Sequence, residues 1–455
     1  MSLDLGGLSA PVSRIDELIA YVKGAERPAE RWLIGVEHEK IGVRGPLFEA
    51  VPYHGRHGIR ELLDAIARSA GGTQHRHKEN GQPIALLSKD ASVTLEPGGQ
   101  LELSGAPLRS LADIRGEIEA HLAEVRRDSD GIAWLAAGYR PFGTREQVPW
   151  MPKGRYAAMK SSLGERGPLA LDMMLMTATV QANLDWSDEA DLASKVRAAT
   201  AVSPIVSAMF ANSPLVGGRE SGYLDFRYQV WRETDPARCG LLEQMLEPDW
   251  GYRRYVEWAI DVPMLFVRYG TEYRDSLGQT FRQWLESGQL ASGEKRQPTL
   301  SHWVDHLTTL FPEVRVKRVL EVRGADVVPL PLMMALPALW VGILYDAAAR
   351  EAAAALTRRW KFSELLQFQG EVAKAALGAK GPGGATALDL ARDLLGIARA
   401  GLKGWQKASG LDESRNLDPL SDILSDGRTL AERVIEAFRA SGGNPASVLK
   451  LWQIA

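Results

Sequence analysis

The chain has one cysteine, Cys239, in 455 residues. No intramolecular disulfide can form, which excludes a secreted disulfide scaffold. The lone thiol, with Asp4 and no basic-then-apolar leader near the start, reads as a protein of a reducing compartment, taken here as cytoplasmic. Long apolar runs are also scarce. The longest, Leu330 to Tyr345, is shorter than a bilayer needs and contains Pro331 and Pro337, so it reads as a buried helix and no membrane partner is expected. The net charge is -3 and the Lys and Arg residues are dispersed, so nucleic acid is not expected either. No G-x-x-x-x-G-K-[ST] loop, no strand-G-x-G-x-x-G-helix unit and no H-E-x-x-H zinc helix occurs. A bound nucleotide would therefore be held by metal ions and basic side chains.

What is present is a chain that is 45% hydrophobic, enough for a large core, and a set of strand-like segments with one polar face. Glu37 and Glu39 lie two residues apart in Gly35-Val36-Glu37-His38-Glu39-Lys40, on one face of a strand, with His38 turned to the other as a satisfied core residue. Two carboxylates so close need a cation, a proton or water between them. Glu96 and Glu102 flank Pro97-Gly98-Gly99-Gln100-Leu101, whose glycines read as a tight turn, and Glu321 follows Val319-Leu320. All five offer oxygen, the preference of Mg²⁺ or Mn²⁺.

Alternation with a period of two runs through Thr177 to Trp186, Leu224 to Trp231 and Val314 to Arg323, where Arg318 interrupts the apolar face. Half-apolar strands of this kind belong to antiparallel sheets with one open face. Helical periodicity marks Ile59 to Ala70, Leu111 to Val125, Asp188 to Phe210, Trp250 to Tyr269 and Ala335 to Arg359. The segment after the break Gly378 to Gly384 is wholly helical. The expected class is α+β, with helices around a mainly antiparallel sheet. One catalytic domain over 1–455 is expected, with a helical lead-in (1–31), a sheet and active-site core (32–345) and a C-terminal helical part (385–455).

Seven motifs, in order and spacing, resemble the plant and proteobacterial type of glutamate-cysteine ligase. They are Ile34 to Lys40; Leu95-Glu96-Pro97-Gly98-Gly99-Gln100-Leu101-Glu102 with its continuation to Pro107; Met151-Pro152-Lys153-Gly154-Arg155-Tyr156; Leu171-Asp172-Met173-Met174; Thr179 to Asp185; Phe210-Ala211-Asn212-Ser213-Pro214; and Leu320 to Asp326. The resemblance implies a glutamine-synthetase-like fold, a curved antiparallel funnel whose polar face holds metal ions, ATP and an amino acid. It implies the ATP-dependent ligation of the γ-carboxylate of L-glutamate to the amine of L-cysteine through γ-glutamyl phosphate, the first step of glutathione biosynthesis.

Bringing an anionic carboxylate to the γ-phosphate requires charge neutralisation. Glu37, Glu39, Glu96, Glu102 and Glu321 are therefore assigned to two or three Mg²⁺ ions. Arg155 and Arg227 match family positions that hold glutamate, with Trp231 lining the same pocket. Arg323 and Lys317 are assigned to ATP phosphates, and Gln181 and Asn183 to nucleotide or metal-bound water. Arg155 and Arg323 are the candidate catalytic residues. Plant members of the type resemble enzymes switched by disulfides, and with Cys239 alone no intramolecular switch exists here. Other readings on the same scaffold are a ligase with a different amine acceptor, a non-catalytic nucleotide-binding protein and a phosphotransferase. Nothing in the residues selects between monomer and homodimer.

Overall fold

The computed structural model describes residues 8–71 and 73–454, so Asp4 and the first residues of the lead-in lie outside the described residues. The centre of the fold is the long strand β1, Ile34–Arg44. Its alternation assigns faces as the sequence predicts: Ile34, Val36, His38 and Lys40 are buried, while Glu37 and Glu39 are half-buried on the opposite face.

Around β1 the main sheet assembles nine further strands: β2 (Glu49–Ala50), β3 (His75–Glu79), β4 (Gln82–Leu87), β5 (Ser92–Leu95), β6 (Leu101–Ser104), β7 (Ile132–Leu135), β8 (Val180–Leu184), β9 (Val314–Val316) and β10 (Leu320–Val322). The order is β9-β10-β8-β1-β6-β5-β4-β3, with β2 and β7 on the far half of β1, and each pairing is antiparallel. The path is open and does not close into a barrel. Register brings the polar positions into rows. Asn183 pairs with Glu321 and Gly35, Gln181 with Glu37, and Glu39 with Glu102, which in turn faces Thr94.

Helices cover the apolar face and rim. The helix α1, Leu111–Asp128, begins at Ser110, whose side chain accepts from Asp113 N, and it buries Ile114, Ile118 and Leu122. The helix α2, Glu189–Met209, is capped by Asp188 in the same way. One apolar cluster runs from Val12 to Ile454. At about 25 cal/mol per Å² of buried apolar surface, it is the main favourable term in folding.

The structure corrects several segments. Leu224 to Trp231 is not a strand: Phe226–Arg232 is a helix, α3, nucleated by Asp225, whose carboxylate accepts from Tyr228 N at 2.8 Å. Val314 to Arg323 is a hairpin rather than one strand, and Arg318 sits at its exposed tip. Trp250 to Tyr269 divides into a helix, Tyr252–Asp261, and a strand, Phe266–Tyr269, separated by Pro263. Ala335 to Arg359 divides into the fully buried helix Ala335–Leu344 and Ala347–Ala355, which starts at the Asp346 cap after a 98° bend. Among the described residues no single helix is long and apolar enough to cross a membrane.

Candidate active site

The polar face of the sheet carries a cation cluster at one end. Glu321 is fully buried and takes both Nε and Nη2 of Arg315, with Nη2 to Oε1 at 2.6 Å. Lys317 Nζ lies 2.9 Å from its other oxygen, and Arg323 Nη1 closes the third contact. Burial works to raise the Glu321 pKa, but Arg315, Lys317 and Arg323 hold it well below the ordinary carboxylate range. Arg323 also donates to Gln181 Oε1 at 2.8 Å. Asn183 Nδ2 donates to Glu37 Oε1 at 3.0 Å. Gln181 and Asn183 thus orient charged neighbours on the polar face where the strand phase places them.

Among the described residues the other four carboxylates make no direct ion pair, although cations stand nearby. Thr179 N donates to Glu39 Oε2 at 3.0 Å and Thr94 Oγ1 to Glu102 Oε2 at 2.5 Å, both neutral donors. Burial, then Glu96 and Glu102, push Glu39 well above the usual carboxylate range. Burial, then Glu321 and Glu102, raise Glu37, and burial raises Glu96 against the pull of Lys153, Arg155 and Arg323. Three half-buried carboxylates and the buried Glu102, all oxygen donors under mutual repulsion, fit a hard divalent cation. Among the described residues no three His, Cys, Asp or Glu side chains converge tightly enough to hold one ion by themselves. Glu96 reaches its place through the turn: Gly99 N donates to Glu96 O at 2.9 Å, and a Cβ on Gly98 would stand 2.2 Å from Leu175 O. Only glycine passes there, in agreement with the turn reading.

Two arginines approach these carboxylates from the helical side. Arg155 Nη2 donates to Thr308 Oγ1 at 3.1 Å, and its guanidinium lies over Phe266. Arg227 is almost fully buried; Nη1 donates to Gly324 O and Nη2 to Arg323 O, at 3.0 and 3.1 Å. Trp231, one helical turn on, stands between two cations, with Arg227 Cζ 5.8 Å and Arg323 Cζ 5.9 Å from its ring. Its indole N–H is buried and has no partner among the described residues. A cavity of about 70 Å³ is lined by Glu39, Glu96, Arg227, Trp231 and Arg323 with Met173 and others.

Two residues of the site go beyond those named from sequence. Arg315 shares the face and phase of Glu321, which is the signal that identifies it. Lys153, two residues before Arg155 in the same motif, places Nζ 3.4 Å from Leu95 O and next to Glu96, the carboxylate that most favours its charged form against burial. The expectation of a satisfied His38 is corrected: it is a core residue, but among the described residues neither ring nitrogen has a partner, and its ring stands edge-on to that of His121 with centroids 5.7 Å apart. Burial drives the pKa of both rings well below the usual histidine range.

The family model for glutamate-cysteine ligase family 2 matches residues 33–450. The chain belongs to that family. It is 39% identical over 436 residues to the chloroplastic glutamate-cysteine ligase of Brassica juncea, covering 95% of this chain and 82% of the relative. It is 38% identical over 430 residues to that of Nicotiana tabacum, covering 94% and 80%. In fold it is similar to the glutamate-cysteine ligase of Francisella tularensis in complex with AMP, with a TM-score of 0.56 over 92% of this chain and 87% of that one, at 14% identity. The cytoplasmic reading is overturned by these family-2 relatives, which are chloroplastic. A single thiol marks a reducing compartment and does not distinguish cytosol from plastid.

Proposed function

We propose that this chain joins the γ-carboxylate of L-glutamate to the amine of L-cysteine at the expense of ATP. The observation that carries the reading is the meeting of carboxylates that make no direct ion pair among the described residues (Glu39, Glu96) with guanidinium groups (Arg227, Arg323) around one cavity on the polar face of the sheet. Family membership supports the same chemistry.

In the first half-reaction a γ-carboxylate oxygen of glutamate bonds to the γ-phosphorus of ATP as the bond to ADP breaks. In the second, the cysteine nitrogen attacks the acyl carbon, inorganic phosphate leaves with the electron pair, and the amine loses its proton. Arg155 and Arg227 hold the glutamate, with the unpartnered indole N–H of Trp231 as a further donor. Arg323 meets the charge that grows on the transferred phosphoryl group, and Lys317 flanks it. Glu37, Glu39, Glu96 and Glu102 would hold Mg²⁺, which when bound neutralises the phosphates. Glu321 joins the set only by releasing one of its three cations. Gln181 keeps Arg323 aimed, and Asn183 does the same for Glu37.

The test is to incubate the protein with glutamate, ATP and Mg²⁺, with cysteine or a panel of other amines, and to follow ADP release and product mass together. Cysteine-dependent ADP with the mass of γ-glutamylcysteine is expected. ADP release with another amine only, or with none, overturns the reading.

A further inference from the structure

The C-terminal helices have no part in the chemistry above, yet one of them reaches the substrate pocket through an unbroken chain of hydrogen bonds. The helix α4, Ala446–Trp452, ends on Trp452, which is buried. Its indole Nε1 donates to Asn212 Oδ1 at 2.8 Å, and its carbonyl accepts from Ala136 N at 2.7 Å. Asn212 uses its remaining groups fully: Nδ2 donates to Ala136 O and Val327 O, and its backbone N–H donates to Asp326 Oδ2 at 2.8 Å. Ser213 Oγ donates to the same Asp326 oxygen at 2.7 Å and accepts from Arg227 N at 3.1 Å. Asp225, beside this pair, caps the helix that carries Arg227 and Trp231.

Each member of this relay is at most 2% exposed. Burial makes the geometry exacting, because a polar group that loses its partner here finds no water to replace it. The backbone makes room for it: a Cβ on Gly138 would fall 2.1 Å from Asp326 Oδ1. The relay ends at Arg227, whose guanidinium is tied to the carbonyls of Arg323 and Gly324 and so depends on where the 323–326 segment stands. Losing the indole N–H leaves Asn212 Oδ1 buried without a donor, and the Asn212 backbone N–H, together with Ser213 Oγ, holds Asp326 Oδ2.

We propose that Trp452 is a positioning residue for the glutamate pocket: through Asn212, Ser213 and Asp326 it sets where Arg227 and Trp231 stand. This rests on the reading of Arg227 as a holder of the substrate carboxylate, and it gives the C-terminal helical part a role in substrate affinity.

The experiment compares Trp452→Phe, Ser213→Ala and Arg227→Lys in the full chain, with kcat and the KM values for glutamate and for ATP. Trp452→Phe keeps a ring and removes only the N–H donor and some bulk. It is expected to raise the glutamate KM roughly 5- to 20-fold, the worth of one buried hydrogen bond, with the ATP KM and kcat within about twofold. Ser213→Ala should act in the same direction. In the Trp452→Phe/Arg227→Lys double variant the fold-increases should combine to less than their product. An unchanged glutamate KM in Trp452→Phe, or equal movement of all three constants, overturns the proposal. If Arg227→Lys raises the glutamate KM while Trp452→Phe does not, the positioning role alone fails; if Arg227→Lys leaves it unchanged, the assignment of Arg227 fails and the proposal with it. Should turnover be too low to fit, the rise in melting temperature produced by glutamate decides: a rise equal to that of the unsubstituted chain overturns the proposal.

Discussion

Glu39 and Glu102 stand directly opposite each other across β1 and β6, and the donors to their carboxylates are a backbone amide and a threonine hydroxyl rather than a cation. Like charges in that position oppose sheet pairing. The site is therefore held at a cost in stability that the Mg²⁺ proposed above would remove.

It follows that Glu39→Gln should stabilise the metal-free protein, by about 0.5–1 kcal/mol, while weakening its response to Mg²⁺. Melting curves with and without Mg²⁺ measure both effects. A variant that melts lower than the unsubstituted chain without metal and gains as much from Mg²⁺ would contradict the assignment.

Arg315 holds Glu321 with two nitrogens in a fully buried position. Replacing it by Met removes one of three cations from a buried carboxylate. The expected loss is about 3 kcal/mol, at the lower end for a broken buried pair because Lys317 and Arg323 remain. The urea midpoint reads this directly, and a change within 0.5 kcal/mol, on the order of an exposed pair, would show that the clamp is not structural.

Glu313 gives a pH signature. Burial pushes its pKa up to about 7, against the opposing pull of hydrogen bonds from Tyr228 and Gln369 and the charge of Arg227. A carboxyl whose folded pKa lies above its unfolded one, near 4.3, binds more protons when folded. Its stabilising contribution is complete at low pH and is lost as pH rises through about 7. Glu313→Gln cannot ionise, so its stability relative to the unsubstituted chain should improve as pH rises from about 5 to about 7 and then level off, as followed by melting temperature. Parallel profiles would refute the buried acid.

Arg155 offers a planar fork that lysine cannot reproduce. Arg155→Lys is expected to lower kcat/KM for glutamate by about 10- to 100-fold with little effect on the KM for ATP. Steady-state kinetics with each substrate varied in turn separates the two, and a larger effect on ATP would move Arg155 to the nucleotide.

The polar face was legible in the sequence because alternation survives local errors of element type. Arg227 and Trp231 were read in phase on a strand and are in phase on a helix, since residues four apart share a face in both. The odd-numbered face of Val314 to Arg323 likewise held through the hairpin, so Lys317, Glu321 and Arg323 meet as expected. Periodicity could not reveal that Asp225 ends extended backbone by capping a helix, because a cap is a hydrogen bond and not a pattern. Nor could it show that Trp452 touches Asn212, a contact between positions whose partnership only the folded chain creates.

The strand order also has a kinetic consequence. β1 takes its partners β6 and β8 from distant parts of the sequence, so Glu39, Glu102 and Gln181 come together only after long loops have closed. The proposed Mg²⁺ site would have no assembled oxygens until that slow step is past. Mg²⁺ should therefore leave the refolding rate nearly untouched and act by slowing unfolding, making the metal a brake on escape from the native state rather than a guide toward it.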